Sequence, residues 1–333
     1  MAGKRIDFRA VILAGGSGER FWPLSTPELP KQFLSVFRGE SLVRQAVARV
    51  RELAEPEDVF VVTGKHLLPA TRRELPEVPR RNMFGEPMRR DTGAAVALGV
   101  GIAAREDCVL GFFPADQLVT DVKAFRRALR TAVQMAAKID TVVLLGIKPE
   151  YPATGYGYVD PKSGKFHEKP SEAKARKYLK SGYLWNAGMF LARASVFRKA
   201  FAEHAPDLSR LAEPSAKGRC LSLEDIYNSI PRISFDFAVM EKLPRVEVVP
   251  VDCGWDDVGG YGAFDRYFPH DSHGNVREGP CTLVDSDNNI CVARSARISL
   301  LGVRNLVVVT TPQSVLVVDK SRVADMKKLF EKR

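Results

Sequence analysis

The stretch from Arg9 to Leu34 constrains the fold of this chain more than any other. Arg9-Ala10-Val11-Ile12-Leu13 reads as a buried β-strand. It breaks into Ala14-Gly15-Gly16-Ser17-Gly18-Glu19-Arg20, with Pro30-Lys31-Gln32-Phe33-Leu34 close behind. Glycines at such a turn let backbone N–H groups approach a polyphosphate with no side chain in the way. Arg20 and Lys31 supply charge for bridging and terminal phosphate oxygens. The spacing excludes the commoner phosphate loops. A dinucleotide fingerprint needs a third glycine where Phe21 stands, and a Walker loop needs Gly-Lys-Ser/Thr where Glu19-Arg20-Phe21 stands. The bland alternative is a glycine-rich turn with a basic residue nearby.

Similar apolar runs recur at 59–62, 109–113 and 141–145, bounded by Gly, Asp or Pro. Helical patterns at 41–54, 92–105 and 121–138 separate them. The last opens on Asp121, a plausible N-cap, and places Val122, Phe125, Leu129 and Val133 on one face. Alternating strand and helix predicts a mostly parallel α/β sheet with helices on both faces and binding residues at the carboxyl ends of its strands. From 150 to 270 the strands shorten, helices are expected at 171–181, 194–203 and 236–242, and a strand at 246–251. This stretch reads as an insertion that builds a second wall of a cleft. Beyond 270 the pattern is β-rich (281–284, 289–292, 306–310, 314–318), closed by a helix at about 320–331. The tail is either a stack of β-turns or a small sandwich. The expected division is a catalytic domain at 1–270 and a small β-rich domain at 271–333. Leu300-Leu301 and Val307-Val308-Val309 serve the tail's core or a homodimer contact.

Composition narrows the class. Hydrophobic residues make up 45% of 333, enough for a full core. No apolar run approaches membrane-spanning length and Met1 to Asp7 carries no leader-like stretch, so the expected setting is the cytoplasm, without a membrane partner. The five cysteines are odd in number and never spaced Cys-x-x-Cys, against a disulfide framework or zinc site. The net charge of +10 would permit nucleic-acid binding, but acidic residues interleave most basic stretches and no aromatic RNA-binding signature accompanies them. A basic surface that draws in anionic substrates is the simpler reading, with no nucleic-acid partner.

Chemistry-bearing residues cluster in a few segments. Asp116 follows the strand Gly111-Phe112-Phe113-Pro114, where it could hold a divalent metal or cap a turn. Gly254-Trp255-Asp256-Asp257-Val258-Gly259 offers a second acidic turn. Magnesium takes one or two carboxylates and leaves its other positions to phosphate and water, so two aspartates from distant segments suit it. Thr154-Gly155-Tyr156-Gly157-Tyr158, Phe166-His167-Glu168-Lys169-Pro170 and Trp185-Asn186-Ala187-Gly188-Met189 combine hydroxyls, a carboxylate, an ammonium and an amide suited to a sugar phosphate. Read alone, Glu168-Lys169 is equally a solvated ion pair.

The run Gly15 to Leu24 with Pro30-Lys31-Gln32-Phe33-Leu34, followed in order by the Thr-Gly-Tyr-Gly, Glu-Lys-Pro and Trp-Asn-x-Gly-Met blocks, resembles the sugar-1-phosphate nucleotidylyltransferases, closest to their mannose/GTP branch. The resemblance covers residues 9–265 and continues more faintly through the tail. It implies a Rossmann-like nucleotide-diphospho-sugar transferase sheet. The implied reaction is Mg²⁺-dependent attack of mannose 1-phosphate on the α-phosphorus of GTP, giving GDP-mannose and pyrophosphate. It also implies Arg20, Lys31, Asp116 and Asp257 as catalytic, with Asp116 and Asp257 (rather than Asp256) on the metal. Nucleotide binding falls to Ala14, Gly15, Gly16, Ser17, Gly18, Glu86, Asp91, Thr92 and Gly93. Sugar-phosphate binding falls to Gly155, Glu168, Lys169 and Asn186.

The segment Gly85 to Ala94 departs from the family's Glu-Pro-x-x-Arg-Asn-Thr-Ala-Pro-Ala block at Asp91 and Gly93. Asp91 therefore either accepts from guanine's N–H groups or caps the helix at 92–105. Glu19, Gln117 and Gly259-Gly260-Tyr261 also depart from the family's usual threonine, histidine and Gly-Ser-Trp. These departures bear on nucleotide and sugar preference, leaving open another sugar-1-phosphate/NTP pair. A catalytically silent nucleotide-sensing relative is the other alternative. A phosphate monoester has a second pKa of ~6, so the nucleophile is already ionised and needs no general base. The five histidines form no evident catalytic couple. A chain ending near 333 has no room for the isomerase domain fused in longer relatives, so a single activity is expected.

Overall fold

The computed structural model describes residues 6–16, 18–104, 107–214 and 222–329; Ser17, Cys220 and the end of the expected terminal helix lie outside them. The chain forms two compact units. The first comprises 1–15, 43–115 and 119–255, the second 16–42, 116–118 and 256–333.

The first unit carries a nine-stranded sheet of β1 (Phe8–Ala14), β2 (Val59–Gly64), β3 (Met83–Glu86), β4 (Val109–Pro114), β5 (Val143–Ile147), β6 (Tyr158–Val159), β7 (Phe166–His167), β8 (Leu184–Arg193) and β9 (Glu247–Val251). The main path runs β9-β5-β8-β4-β1-β2-β3, with β6 and β7 added beside β8. The four apolar runs expected as strands are β1, β2, β4 and β5. β4-β1-β2-β3 and β9-β5 are parallel. β8, ten residues long, runs antiparallel between β4 and β5.

Successive residues of β4 point to opposite faces, and the rings show it. Phe112 meets Phe197 edge-on at 5.1 Å, whereas Phe113 meets Phe125 at 6.4 Å. Phe125 belongs to α2 (Val122–Ala136), which the Asp121 side chain caps by accepting from Ala124 N at 2.8 Å. Phe197 belongs to the helix Ala194–His204, in the core that also takes in α1 (Asp91–Ala103). Helices thus cover both faces. α1 is buried nearly all round because its Gly93-Ala94-Ala95-Val96-Ala97-Leu98 run has no polar face to show water. Two short helices follow the 107–214 span: α3 (Leu223–Ser229) and α4 (Phe235–Ala238).

The second unit is built on β10 (Val276–Glu278), β11 (Cys281–Val284), β12 (Ile290–Ala293), β13 (Ile298–Leu301), β14 (Leu306–Thr310) and β15 (Val315–Asp319). β10-β12-β14 pair in parallel, as do β11 and β13, so the tail is a stack of coils, with β15 returning antiparallel on β14. Buried asparagines hold the coil corners: Asn289 donates through its backbone and side-chain nitrogens to Asn275 Oδ1, at 2.9 and 3.0 Å. Val307, Val308 and Val309 are core, while Leu301 is 72% exposed. Residues Lys320–Leu329 wind as a tighter 3₁₀ helix.

The glycine-loop segment shares this unit's core. Phe21, Leu24, Leu34 and Phe37 pack in one cluster with Tyr261, Phe264, Val276, Ile290, Val292 and Val307. The Tyr261 hydroxyl donates to the Phe21 and Trp22 carbonyls (2.9 and 3.0 Å). Among the described residues no helix is long and apolar enough to cross a membrane.

Candidate active site

In the second unit the expected phosphate and metal residues gather around one ammonium. Lys31 follows Pro30 in a single 3₁₀ turn, and its side chain is only 9% exposed. Its Nζ pairs with Asp116 Oδ2 at 3.0 Å and donates to the Asp257 carbonyl. Gly18 has φ +64°, and a β-carbon there would stand 2.4 Å from Lys31 Cβ and 2.6 Å from Lys31 N. The loop can close against Lys31 only because that atom is missing.

The acidic turn distinguishes its two aspartates. Asp256 is fully engaged: Arg266 reaches it through Nε and Nη2 (2.7 and 3.0 Å), the Tyr267 hydroxyl donates to it at 2.9 Å, and Val258 N at 2.7 Å. Asp257 instead turns its carboxylate towards Gly259, beside the Arg20 guanidinium. Val258, the next residue in the turn, has φ +47°, a backbone region that β-branched residues rarely enter.

The first unit holds the other expected residues. Ala14 ends β1, and Gly15 follows it. Glu86 ends β3, 9% exposed, with Oε2 3.5 Å from the position a β-carbon on Gly15 would take. The Tyr227 hydroxyl donates to Glu86 Oε1 at 3.0 Å. Burial pushes the Glu86 carboxyl up to about 7 despite that bond, and pushes the Tyr227 hydroxyl up as well.

Asp91, with φ +65°, is the first residue of α1 and accepts from the N–H of its neighbour Thr92 at 2.8 Å, while among the described residues no side chain caps the helix start. Thr92 and Gly93 face inward to the chain itself. Thr92 Oγ1 accepts from Phe235 N at 3.0 Å, and Gly93 N donates to the Ile233 carbonyl at 3.0 Å. A β-carbon on Gly93 would lie 2.6 Å from that carbonyl, a physical reason for glycine where the family block has alanine. Ile233 N in turn donates to the Arg90 carbonyl at 3.3 Å, and Arg90 Nε donates to the Tyr227 carbonyl at 2.7 Å.

Gly155 lies on an exposed turn. Glu168 and Lys169 follow β7, with Nζ 3.2 Å from Glu168 Oε1 and Lys169 at φ +41°. The ion pair is lopsided: the Glu168 side chain is 6% exposed against 52% for Lys169, so it is no ordinary solvated pair. Asn186, on β8, donates from Nδ2 to Asp236 Oδ1 at 2.8 Å.

The profile of the "Nucleotidyl transferase" family matches residues 9–272, and that of the "MannoseP isomerase/GMP-like beta-helix domain" matches 279–332. The chain belongs to the sugar-1-phosphate nucleotidylyltransferase family. It is closely related to proteins of the mannose-1-phosphate guanylyltransferase/AlgA type. The alginate biosynthesis protein AlgA of Pseudomonas aeruginosa is 34% identical over 95% of this chain and 70% of its own length. The mannose-1-phosphate guanylyltransferase of Escherichia coli K12 is 33% identical over 96% and 72%. A crystal structure from Thermus thermophilus, described as mannose-1-phosphate geranyltransferase, superposes with a TM-score of 0.87 at 36% identity, covering 98% of this chain and 99% of that one. The family reaction joins a sugar 1-phosphate to a nucleotide to give a nucleoside-diphosphate sugar, and the relatives are closest to mannose/GDP chemistry.

For this nucleotidylyltransferase, no group of three or more His, Cys, Asp or Glu among the described residues forms a metal cage. Magnesium needs none, because hard oxygen donors from one or two carboxylates suffice alongside phosphate and water. The donors here fit that pattern: the Asp116 carboxylate and the Asp257 backbone carbonyl meet at Lys31 Nζ, and the Asp257 carboxylate takes no part in the contacts that hold Asp256. Two residues at the site carried no local sequence signal. Tyr227 and Asp236 reach Glu86 and Asn186 from segments 141 and 50 residues away.

Proposed function

We propose that this nucleotidylyltransferase transfers GMP from GTP to mannose 1-phosphate, releasing pyrophosphate and GDP-mannose. The names borne by relatives that align with almost the whole chain support the pair of substrates. Within the chain, the observation that carries the reading is Glu86. Guanine offers two adjacent N–H donors on one edge, and a carboxyl oxygen held beside Gly15 is an acceptor suited to them. Adenine presents a ring acceptor at the corresponding position, which Glu86 repels once it is ionised, above about pH 7. Asp91 is a second acceptor on the same segment.

The attacking phosphate oxygen is already ionised near neutral pH, so the protein's task is alignment and neutralisation. Backbone N–H groups from Gly15 to Gly18 cradle the triphosphate, while Arg20 and Lys31 offset charge on the leaving pyrophosphate. Lys169 holds the sugar phosphate, and Glu168 and Asn186, with the backbone at Gly155, take the sugar. Asp116 and Asp257 would hold Mg²⁺, which when bound supplies positive charge to the nucleotide and sugar phosphates. We place this catalytic part at 1–270 and the β-rich part at 271–333, supported by the gap between the two matched profiles at 272 and 279.

The test is pyrophosphate release across GTP, ATP, UTP and dTTP, each with mannose, glucose and galactose 1-phosphates. GTP with mannose 1-phosphate is expected to lead in kcat/KM by about tenfold or more, since polar sites discriminate strongly between donor patterns. A higher kcat/KM with another pair would replace the assignment. No release with any pair would remove the enzymatic reading.

A further inference from the structure

Asn186, Glu168 and Asp236 form a polar cluster that the fold itself leaves incomplete. Asn186 is oriented at both ends: Oδ1 accepts from Gly188 N at 2.9 Å and Nδ2 donates to Asp236 Oδ1 at 2.8 Å. Glu168 Oε1 has Lys169, but Glu168 Oε2 is buried with no hydrogen-bond partner among the described residues. A buried carboxylate oxygen without a donor is strongly disfavoured, so it marks a place where a donor is missing from the protein alone. Space for that oxygen is provided by Gly157, where a β-carbon would lie 2.6 Å from it.

Asp236 sits in the first turn of α4, whose start is fastened to α1 by the Phe235 N to Thr92 Oγ1 bond. As a whole residue Asp236 is half-buried. Burial first, and then the neighbouring Glu168 charge, raise its pKa. Geometry links the two carboxyls: Asn186, which holds Asp236, also donates from its backbone N to the Gly157 carbonyl at 2.8 Å, and Gly157 is the residue that lies against Glu168 Oε2. Neighbouring carboxyls are served by neutral O–H donors, which satisfy each without adding charge, and adjacent ring hydroxyls of a sugar supply two such donors at a fixed spacing.

We propose that Asp236 is a sugar-reading residue: with Glu168 it forms a two-carboxyl socket that accepts hydroxyl protons from two neighbouring carbons of the hexose ring. The inference rests on the nucleotidyl-transfer reading and adds to it the contact that selects the sugar. Asp236 acts directly on the ligand in this account, beyond orienting Asn186.

The test uses the whole 333-residue chain and a set of monodeoxy and parent hexose 1-phosphates, scored by turnover and by calorimetric binding. The wild type is expected to bind two analogues, deoxygenated at adjacent ring carbons, about 10- to 100-fold more weakly than the parent, as loss of a hydrogen bond to a charged group implies. Asp236→Asn keeps an oxygen acceptor for Asn186 and the same shape. It is expected to raise KM for the sugar phosphate about tenfold, leave KM for the triphosphate within about twofold, and erase one of the two deoxy penalties. A purely structural Asp236 would leave the deoxy pattern untouched in a folded Asp236→Asn variant, and that result would overturn the inference. So would a wild type that penalises only one ring position or none, whatever the variant's stability. Absence of turnover with every pair overturns the transfer reading alone, because the calorimetric pattern still decides the socket.

Discussion

Gly18 and Gly39 make a matched pair for measuring what the glycine loop contributes. Both lie in the second unit at positive φ, +64° and +76°. Replacing either with alanine places a side chain in a left-handed conformation, which costs roughly 1–2 kcal/mol. There the likeness ends. At Gly39 the new methyl meets nothing within 4 Å, whereas at Gly18 it falls 2.4 Å from Lys31 Cβ and 2.6 Å from Lys31 N. Carbon contacts relax at about 3.5–4.0 Å, so the loop or Lys31 must retreat by about 1 Å. Such crowding adds roughly 1–3 kcal/mol to the destabilisation. A displacement of that size at a positioning residue is worth about 10²-fold in rate.

Gly18→Ala is therefore expected to lose about 10²-fold in kcat and roughly 2–5 kcal/mol in stability. Gly39→Ala should lose only the smaller stability increment and keep its turnover. Pyrophosphate release and urea unfolding of the two variants, side by side, read both quantities. The reasoning fails if Gly18→Ala turns over within twofold of wild type, or if Gly39→Ala loses as much rate.

Two further expectations test single charges. Lys31→Met keeps the apolar stem but removes the ammonium from Asp116 and the Asp257 carbonyl; kcat should fall about 10²–10³-fold. Its stability should change little, because the Asp116 side chain is 38% exposed and stays solvated; a wild-type rate would contradict the role. Glu86 holds a proton up to about 7 in the fold, against an ordinary value of 4.5. Its protonated form therefore contributes stability that is complete below 4.5 and is lost as pH rises to about 7, at roughly 1.4 kcal/mol per unit. Glu86→Gln carries no such proton, so urea midpoints from pH 4.5 to 7.5 should converge on, then meet or pass, the wild type; parallel curves would refute the assignment.

Local pattern made the frame of the fold readable. β1, β2, β4 and β5 announced themselves as apolar runs, and Asp121 announced the start of α2, because burial on both faces and capping are written in adjacent residues. β8 was read as a sugar-contact block and not as a strand. Leu184 to Arg193 is buried nearly throughout, so it lacks the alternation that marks a half-exposed strand, and only its partners β4 and β5 fix its direction. The tail's choice between coil stack and sandwich likewise depended on pairing: β10 and β13, which the pattern missed, are short runs defined by their parallel partners β12 and β11. The shared core of Phe21 and Phe37 with Val276 and Ile290 joins segments far apart in the chain, beyond the reach of any periodicity. The candidate site divided in the same way. Gly18, Lys31, Asp116 and Asp257 carried motif signals, whereas Tyr227 and Asp236 are ordinary helix residues until the fold delivers them to Glu86 and Asn186.

The hydrogen bonds joining Glu86, Arg90, Thr92 and Gly93 to Tyr227, Ile233 and Phe235 have a consequence for how such enzymes can be altered. Residues 86–93 and 227–236 are therefore expected to transfer between relatives only as one unit, although Glu86 and Tyr227 stand 141 positions apart in the chain. A chimera that imports the earlier segment alone, with alanine at position 93, drives a methyl into the Ile233 carbonyl and strips partners from groups on the later one. Each orphaned group costs about 1–3 kcal/mol. Moving both segments together keeps the stitching intact, and brings Glu86 and Asp236 across as a matched set.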